Sequence, residues 1–94
     1  MENNNKISFW YLTNLLDDYY DCRENWSYHY RNYEDAIHHY KIITEAYKQR
    51  YLNENDELDD DEWDEHVSND FSIDFRIESI DSFYAYVELK YIEL

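Results

Sequence analysis

From residue 71 to residue 91 the chain alternates apolar and polar side chains. Phe71, Ile73, Phe75 and Ile77 are interleaved with Ser72, Asp74, Arg76 and Glu78. After Ser79-Ile80-Asp81-Ser82, the set Phe83, Ala85, Val87, Leu89 and Tyr91 is interleaved with Tyr84, Tyr86, Glu88, Lys90 and Ile92. A two-residue period places one set on one face of a strand, and no helix gathers it onto a single side. These residues predict an antiparallel β-hairpin with its loop at 79–82. Two strands alone are marginally stable in water, so the rest of the chain has to cover the apolar face. The sequence contains no Gly and no Pro, which leaves turns and caps to Asn, Asp and Ser.

Upstream the period changes. Phe9, Leu12, Leu16 and Tyr19 fall at i, i+3, i+7 and i+10, with Leu15 widening the stripe, and predict a helix over 8–23. Trp26, Tyr28 and Tyr30 alternate with Asn25, Ser27 and His29, which we read as a connection with an aromatic anchor. A second helix follows Asn32, a capping residue, with Glu34 and Asp35 in the first turn. Its stripe is Ala36, Ile37, Tyr40, Ile43, Tyr47 and Tyr51, with Lys48 and Arg50 placed in the last turn. The expected fold is a single α+β domain with two main helices packed on a C-terminal hairpin. An acidic loop or short helix lies between, capped by Asp56 or Asp59 and running to His66 or Val67. The expected core is Phe9, Leu12, Leu16, Ile37, Tyr40, Ile43, Tyr47, Phe71, Ile73, Phe75, Val87 and Leu89.

Charge divides the chain differently. Residues 1–52, the Tyr-rich part, hold eight acids and six bases; residues 53–94 hold fifteen acids against Arg76 and Lys90 alone. The acids culminate in the connector 53–70, where residues 54–65 carry nine acidic side chains and no basic one. Folding does not ask for this, since like charges at helical spacing cost ~0.2–0.5 kcal/mol per pair and net charge strains the compact state. The overall charge of −15 suggests disorder, but 20% aromatic residues contradict that, because disordered acidic chains are aromatic-poor.

Several chemistries are excluded or disfavoured. Without Gly there is no phosphate-cradling loop. His38 and His39 are adjacent and point about 100° apart on a helix, a poor chelate, and with His29 and His66 they form no metal motif. Cys22 is the only cysteine; it cannot form an intrachain disulfide and reads as a small buried residue. The acidic run lacks the alternating ligands and the Gly of a calcium loop. No basic patch exists to hold nucleic acid, and the net charge repels phosphates. Residues 1–6 do not read as a signal peptide, and no stretch approaches a membrane span. The expectation is no enzyme, no cofactor and no metal.

What remains is a carboxylate surface with aromatics inside it, as interfaces have. The run Asp59-Asp60-Asp61-Glu62-Trp63-Asp64-Glu65, the tyrosine-rich body and the short strands beside it resemble the small acidic DNA-mimic inhibitors of phages and mobile elements. These are the anti-CRISPR proteins that block Cas9 and the anti-restriction proteins. The resemblance lies in composition, size and charge. It implies a stoichiometric inhibitor, acting in the cytoplasm of a bacterial host, that fills the DNA-binding cleft of a defence nuclease. The partner-binding residues would be Asp56, Glu57, Asp59, Asp60, Asp61, Glu62, Trp63, Asp64, Glu65, Asp74, Glu78, Tyr84 and Tyr86, on a monomer or homodimer. The alternative is an antitoxin or assembly partner that binds through its Tyr-rich helical face, with the acids only solubilising it.

Overall fold

The computed structural model describes residues 7–18, 22–54, 58–59, 62–68, 72–79 and 83–94. One helix packs on a five-stranded antiparallel sheet. In chain order the elements are β1 (Ser8–Asp18), β2 (Cys22–Tyr30), α1 (Tyr33–Glu54), β3 (Trp63–Ser68), β4 (Ser72–Ser79) and β5 (Phe83–Glu93). The strand order is β2-β1-β5-β4-β3. The expected pair of helices on a hairpin is therefore wrong: residues 8–18 are not a helix but a central strand, and the presumed aromatic connection is the edge strand β2.

The reason lies in β1 itself. Its even positions Trp10, Leu12 and Leu16 face the helix, and Leu12 and Leu16 are fully buried there. Its odd positions Phe9, Tyr11 and Leu15 are also apolar but lie on the opposite face. A strand with apolar residues on both faces hides its period of two. Asn14, a polar residue between Leu12 and Leu16 on the buried side, masks it further. Asn14 is 6% exposed, and both ends of its amide are used. Its Nδ2 donates to the Tyr47 hydroxyl at 2.8 Å, and its Oδ1 accepts from the Trp26 backbone N–H at 3.1 Å.

β1 pairs with β2 in unbroken register from Trp10↔Tyr30 to Asp18↔Cys22, and with β5 from Ser8↔Glu93 to Asp18↔Phe83. The chain's first and last described strands thus lie side by side in the middle of the sheet, and the Leu94 N–H donates to the Ile7 carbonyl at 2.8 Å. The C-terminal hairpin forms as its alternation requires, with Ile73↔Leu89, Phe75↔Val87 and Ile77↔Ala85 facing the helix.

α1 also forms where its stripe places it. Asn32 caps it: its Oδ1 accepts from the Asp35 N–H at 3.0 Å, and its carbonyl from the Ala36 N–H at 3.3 Å. Ala36, Tyr40, Ile43, Tyr47 and Tyr51 are buried against the sheet, with Thr44 beside them. The helix runs on to Glu54, so Lys48 and Arg50 are not in its last turn, and no base is. The core comprises these residues with Leu12, Leu16, Phe75, Ile77, Phe83, Ala85, Val87 and Leu89. Ile37 and Ile73 are only half-buried against it, Phe9 is half-buried on the far face, and Phe71 falls outside the described residues. Among the described residues, no helix is long and apolar enough to cross a membrane.

Candidate interaction site

The acidic connector leads from the C-terminus of α1 to β3, and Asp56, Glu57, Asp60 and Asp61 lie outside the described residues. β3 is a strand, so a short helix reaching His66 does not form. The sequence-predicted residues that are described converge on the β3–β4 side of the sheet but divide between its two faces.

On the helix side stand Glu62, Trp63 and Glu65. Tyr40 of α1 is 1% exposed, and its hydroxyl donates to Glu65 Oε2 at 2.7 Å. About three turns further along the same face of the helix, the buried Tyr51 hydroxyl donates to Glu62 Oε2. Glu62 is fixed twice more: its Oε1 accepts from the Asp59 N–H at 3.0 Å, and its own N–H donates to the Asp59 carbonyl at 3.0 Å. A buried tyrosine hydroxyl needs a partner, and here two acids supply it. Burial first, and the carboxylate second, push the Tyr51 hydroxyl up to about 12 and that of Tyr40 further in the same direction. The hydrogen bond from Tyr51, followed by that from the Asp59 N–H, holds Glu62 below the usual carboxylate range.

Trp63 is not a free aromatic on the acidic surface. Its ring lies 6.0 Å from that of Phe75, and Lys48 Nζ sits 4.5 Å from the Trp63 centroid and 5.4 Å from that of Phe75. It ties β3 to the helix and the core.

Among the described residues, no helix lies over the opposite face of the sheet. Here the register places Asp64 opposite Arg76, His66 opposite Asp74, Asp74 opposite Glu88, and Glu78 opposite Tyr84. Tyr86 reaches Asp74 Oδ2 at 3.4 Å. Burial, then the charges of Glu88 and Asp74, push the Tyr86 hydroxyl up to about 12. Asp74 opposite Glu88 is a like-charge cross-strand pair, which destabilises a sheet. Glu62, Trp63 and Asp64 line a shallow recess of about 120 Å³ at the rim of the sheet together with Arg76 and Glu78. Tyr84 and Tyr86 are half-buried on this outer face.

Sequence reasoning missed the anchoring tyrosines Tyr40 and Tyr51 and the acid Glu88. The spacing of Tyr40, Tyr47 and Tyr51 marks them as one buried stripe whose hydroxyls need acceptors, but not which acceptors. The same burial removes the tyrosine-rich face of α1 from the surface. Among the described residues no three His, Cys, Asp or Glu side chains are grouped to hold a metal ion. His29 packs on Phe9 and Tyr11, and His39 takes a hydrogen bond with Tyr30 and lies against Tyr28. Comparison with known protein families, characterised proteins and solved structures finds no match.

Proposed function

We propose that the chain is a stoichiometric inhibitor that presents its carboxylates to the basic nucleic-acid-binding cleft of another protein, a host defence nuclease such as Cas9. The observation that carries this reading is that acids crowd the C-terminal end of α1 and the start of β3. α1 ends at Glu54 with no base in its last turn, and the acidic run follows directly, although the negative end of the helix dipole favours cations. Glu62 and Glu65 are nevertheless held in place by buried tyrosine hydroxyls. Preorganised acceptors lose less freedom on docking than mobile ones.

The spacing suits the target chemistry. A strand rises ~3.3 Å per residue, and each DNA strand places a phosphate every ~3.4 Å along its axis. Acids along β3 and β4 therefore fall near multiples of the phosphate repeat. Arginines that read DNA accept a carboxylate in a bidentate fork as readily as a phosphate. A dense carboxylate field also speeds encounter with a basic cleft.

The test is a titration of the protein into guide-loaded Cas9 enzymes and restriction endonucleases bound to labelled duplex DNA. The expected result is release of DNA at near-equimolar protein from at least one enzyme, weakening as salt rises. Retention of DNA by every enzyme at excess protein and low salt would count against the proposal.

A further inference from the structure

The two edges of the sheet are built differently. β3 has six residues, carries Asp64 and Glu65, and adjoins the acidic connector. Short length and inward or edge charges are the devices that stop an edge from pairing with another strand. β2 has fewer of them: its charged residues, Arg23 and Glu24, stand together at its start. It has nine residues, contains no Lys and no Pro, and keeps nine consecutive pairs with β1 without a bulge. Among the described residues nothing lies against its outer edge, since β2 ends the strand order.

The direction of its open hydrogen-bonding groups can be read. The Trp26 N–H points at Asn14 on β1. Backbone groups alternate sides along a strand, so the N–H and C=O groups of Arg23, Asn25, Ser27 and His29 point outward. Trp26 itself is 56% exposed on the helix side of the sheet, and it stands at the midpoint of β2.

We propose that β2 pairs antiparallel with β2 of a second copy of this chain, about a two-fold axis at Trp26. This register is self-complementary. Asn25 pairs with Ser27 of the second copy and Arg23 with His29, all through outward-pointing backbone groups. The two Trp26 residues then form the non-hydrogen-bonded pair on the axis, where side chains approach most closely. An isologous contact of this kind closes at two chains.

Charge selects a second copy as the occupant. Residues 1–52, which include β2, have a net charge of only −2. The fold puts β2 at one edge and β3, with the acidic connector, at the other. Pairing through β2 therefore joins the near-neutral edges and keeps the two acidic edges at opposite ends, where repulsion between copies is least. Each dimer would display two acidic edges.

The experiment is sedimentation equilibrium of the intact chain across a wide concentration range, with three variants. The wild type should reach twice the chain mass as concentration rises. Ser27→Pro removes an outward N–H and obstructs the approaching strand, and an edge position tolerates proline in the monomer. Trp26→Lys places two like charges across the axis. Both should remain at the monomer mass with native circular dichroism. Trp26→Cys in a Cys22→Ser background should form an interchain disulfide under mild oxidation. A wild type that stays at the monomer mass at the highest concentration overturns the proposal. So does a natively folded Trp26→Lys variant that dimerises like the wild type, or failure of the Trp26→Cys pair to cross-link.

Discussion

Replacing Asn14 with Ala removes a polar brace inside the core. Two hydrogen bonds disappear, from Nδ2 to the Tyr47 hydroxyl and from the Trp26 N–H to Oδ1. Each such bond contributes a net ~0.5–1.5 kcal/mol, and partners left buried without their bond add to the cost. The expected loss is about 2–4 kcal/mol, a large part of the stability of a domain this size. With ~4–8 °C per kcal/mol for a small domain, melting should fall by at least roughly 10 °C. Tyr47→Phe removes the first bond, leaves the second in place, and should cost about 1–2 kcal/mol. In the double variant the two losses should not add, because both partners of one bond are gone. The Trp26 N–H still lacks its acceptor there, so recovery is partial. Thermal and urea unfolding followed by circular dichroism measure all three. If Asn14→Ala changes stability by less than about 0.5 kcal/mol, or if the two losses add fully, Asn14 is not the brace and the orientation of β1 is wrong.

The strand assignment of β1 separates Leu15 from Leu16: Leu16→Asn should cost several kcal/mol, on the order of a fully buried apolar loss, while Leu15→Asn on the uncovered face should be tolerated in the same unfolding assay. A helix over 8–23 would make the two similar. Ile77→Ala and Leu89→Ala, both fully buried, should each cost ~2–5 kcal/mol. Glu62 is held below its unfolded value, so its contribution is present above the ordinary carboxylate range and is lost as pH falls through it; Glu62→Gln should flatten that acid-side slope. Tyr40, Tyr51 and Tyr86 are raised. Their contribution is complete below about pH 10 and declines above it, so alkaline unfolding should begin there, and later in Tyr40→Phe, read by absorbance of the tyrosinate.

What the sequence made legible follows from which side chains share a face. α1 and the β4–β5 hairpin are one-sided elements, apolar toward the core and polar outward, and their periods can be read directly. β1 is apolar on both faces, and its partner β5 lies 65 residues away at Asp18↔Phe83 and 85 at Ser8↔Glu93, beyond any local window. β2 alternates Trp26, Tyr28 and Tyr30 with polar residues, a strand pattern that carried little weight while its neighbour read as a helix. At the site, the acids were visible from composition, and the outward setting of Tyr84 and Tyr86 from alternation. The anchoring of Glu62 and Glu65 by Tyr51 and Tyr40 was not, because it needs the helix laid across β3. Trp63 looked like a surface aromatic amid charge, but the register puts it on the helix side, against Phe75.

The central claim is that the carboxylates beside β3 engage a basic nucleic-acid-binding cleft. It is tested most directly with the variant Asp59→Asn, Asp60→Asn, Asp61→Asn, Glu62→Gln, whose affinity for the nuclease is compared with that of the wild type across a range of salt. The account predicts native circular dichroism, near-complete loss of binding, and a wild-type affinity that falls as exposed charges are screened beyond ~8 Å at physiological ionic strength. A natively folded variant that binds as tightly as the wild type at low salt would contradict it.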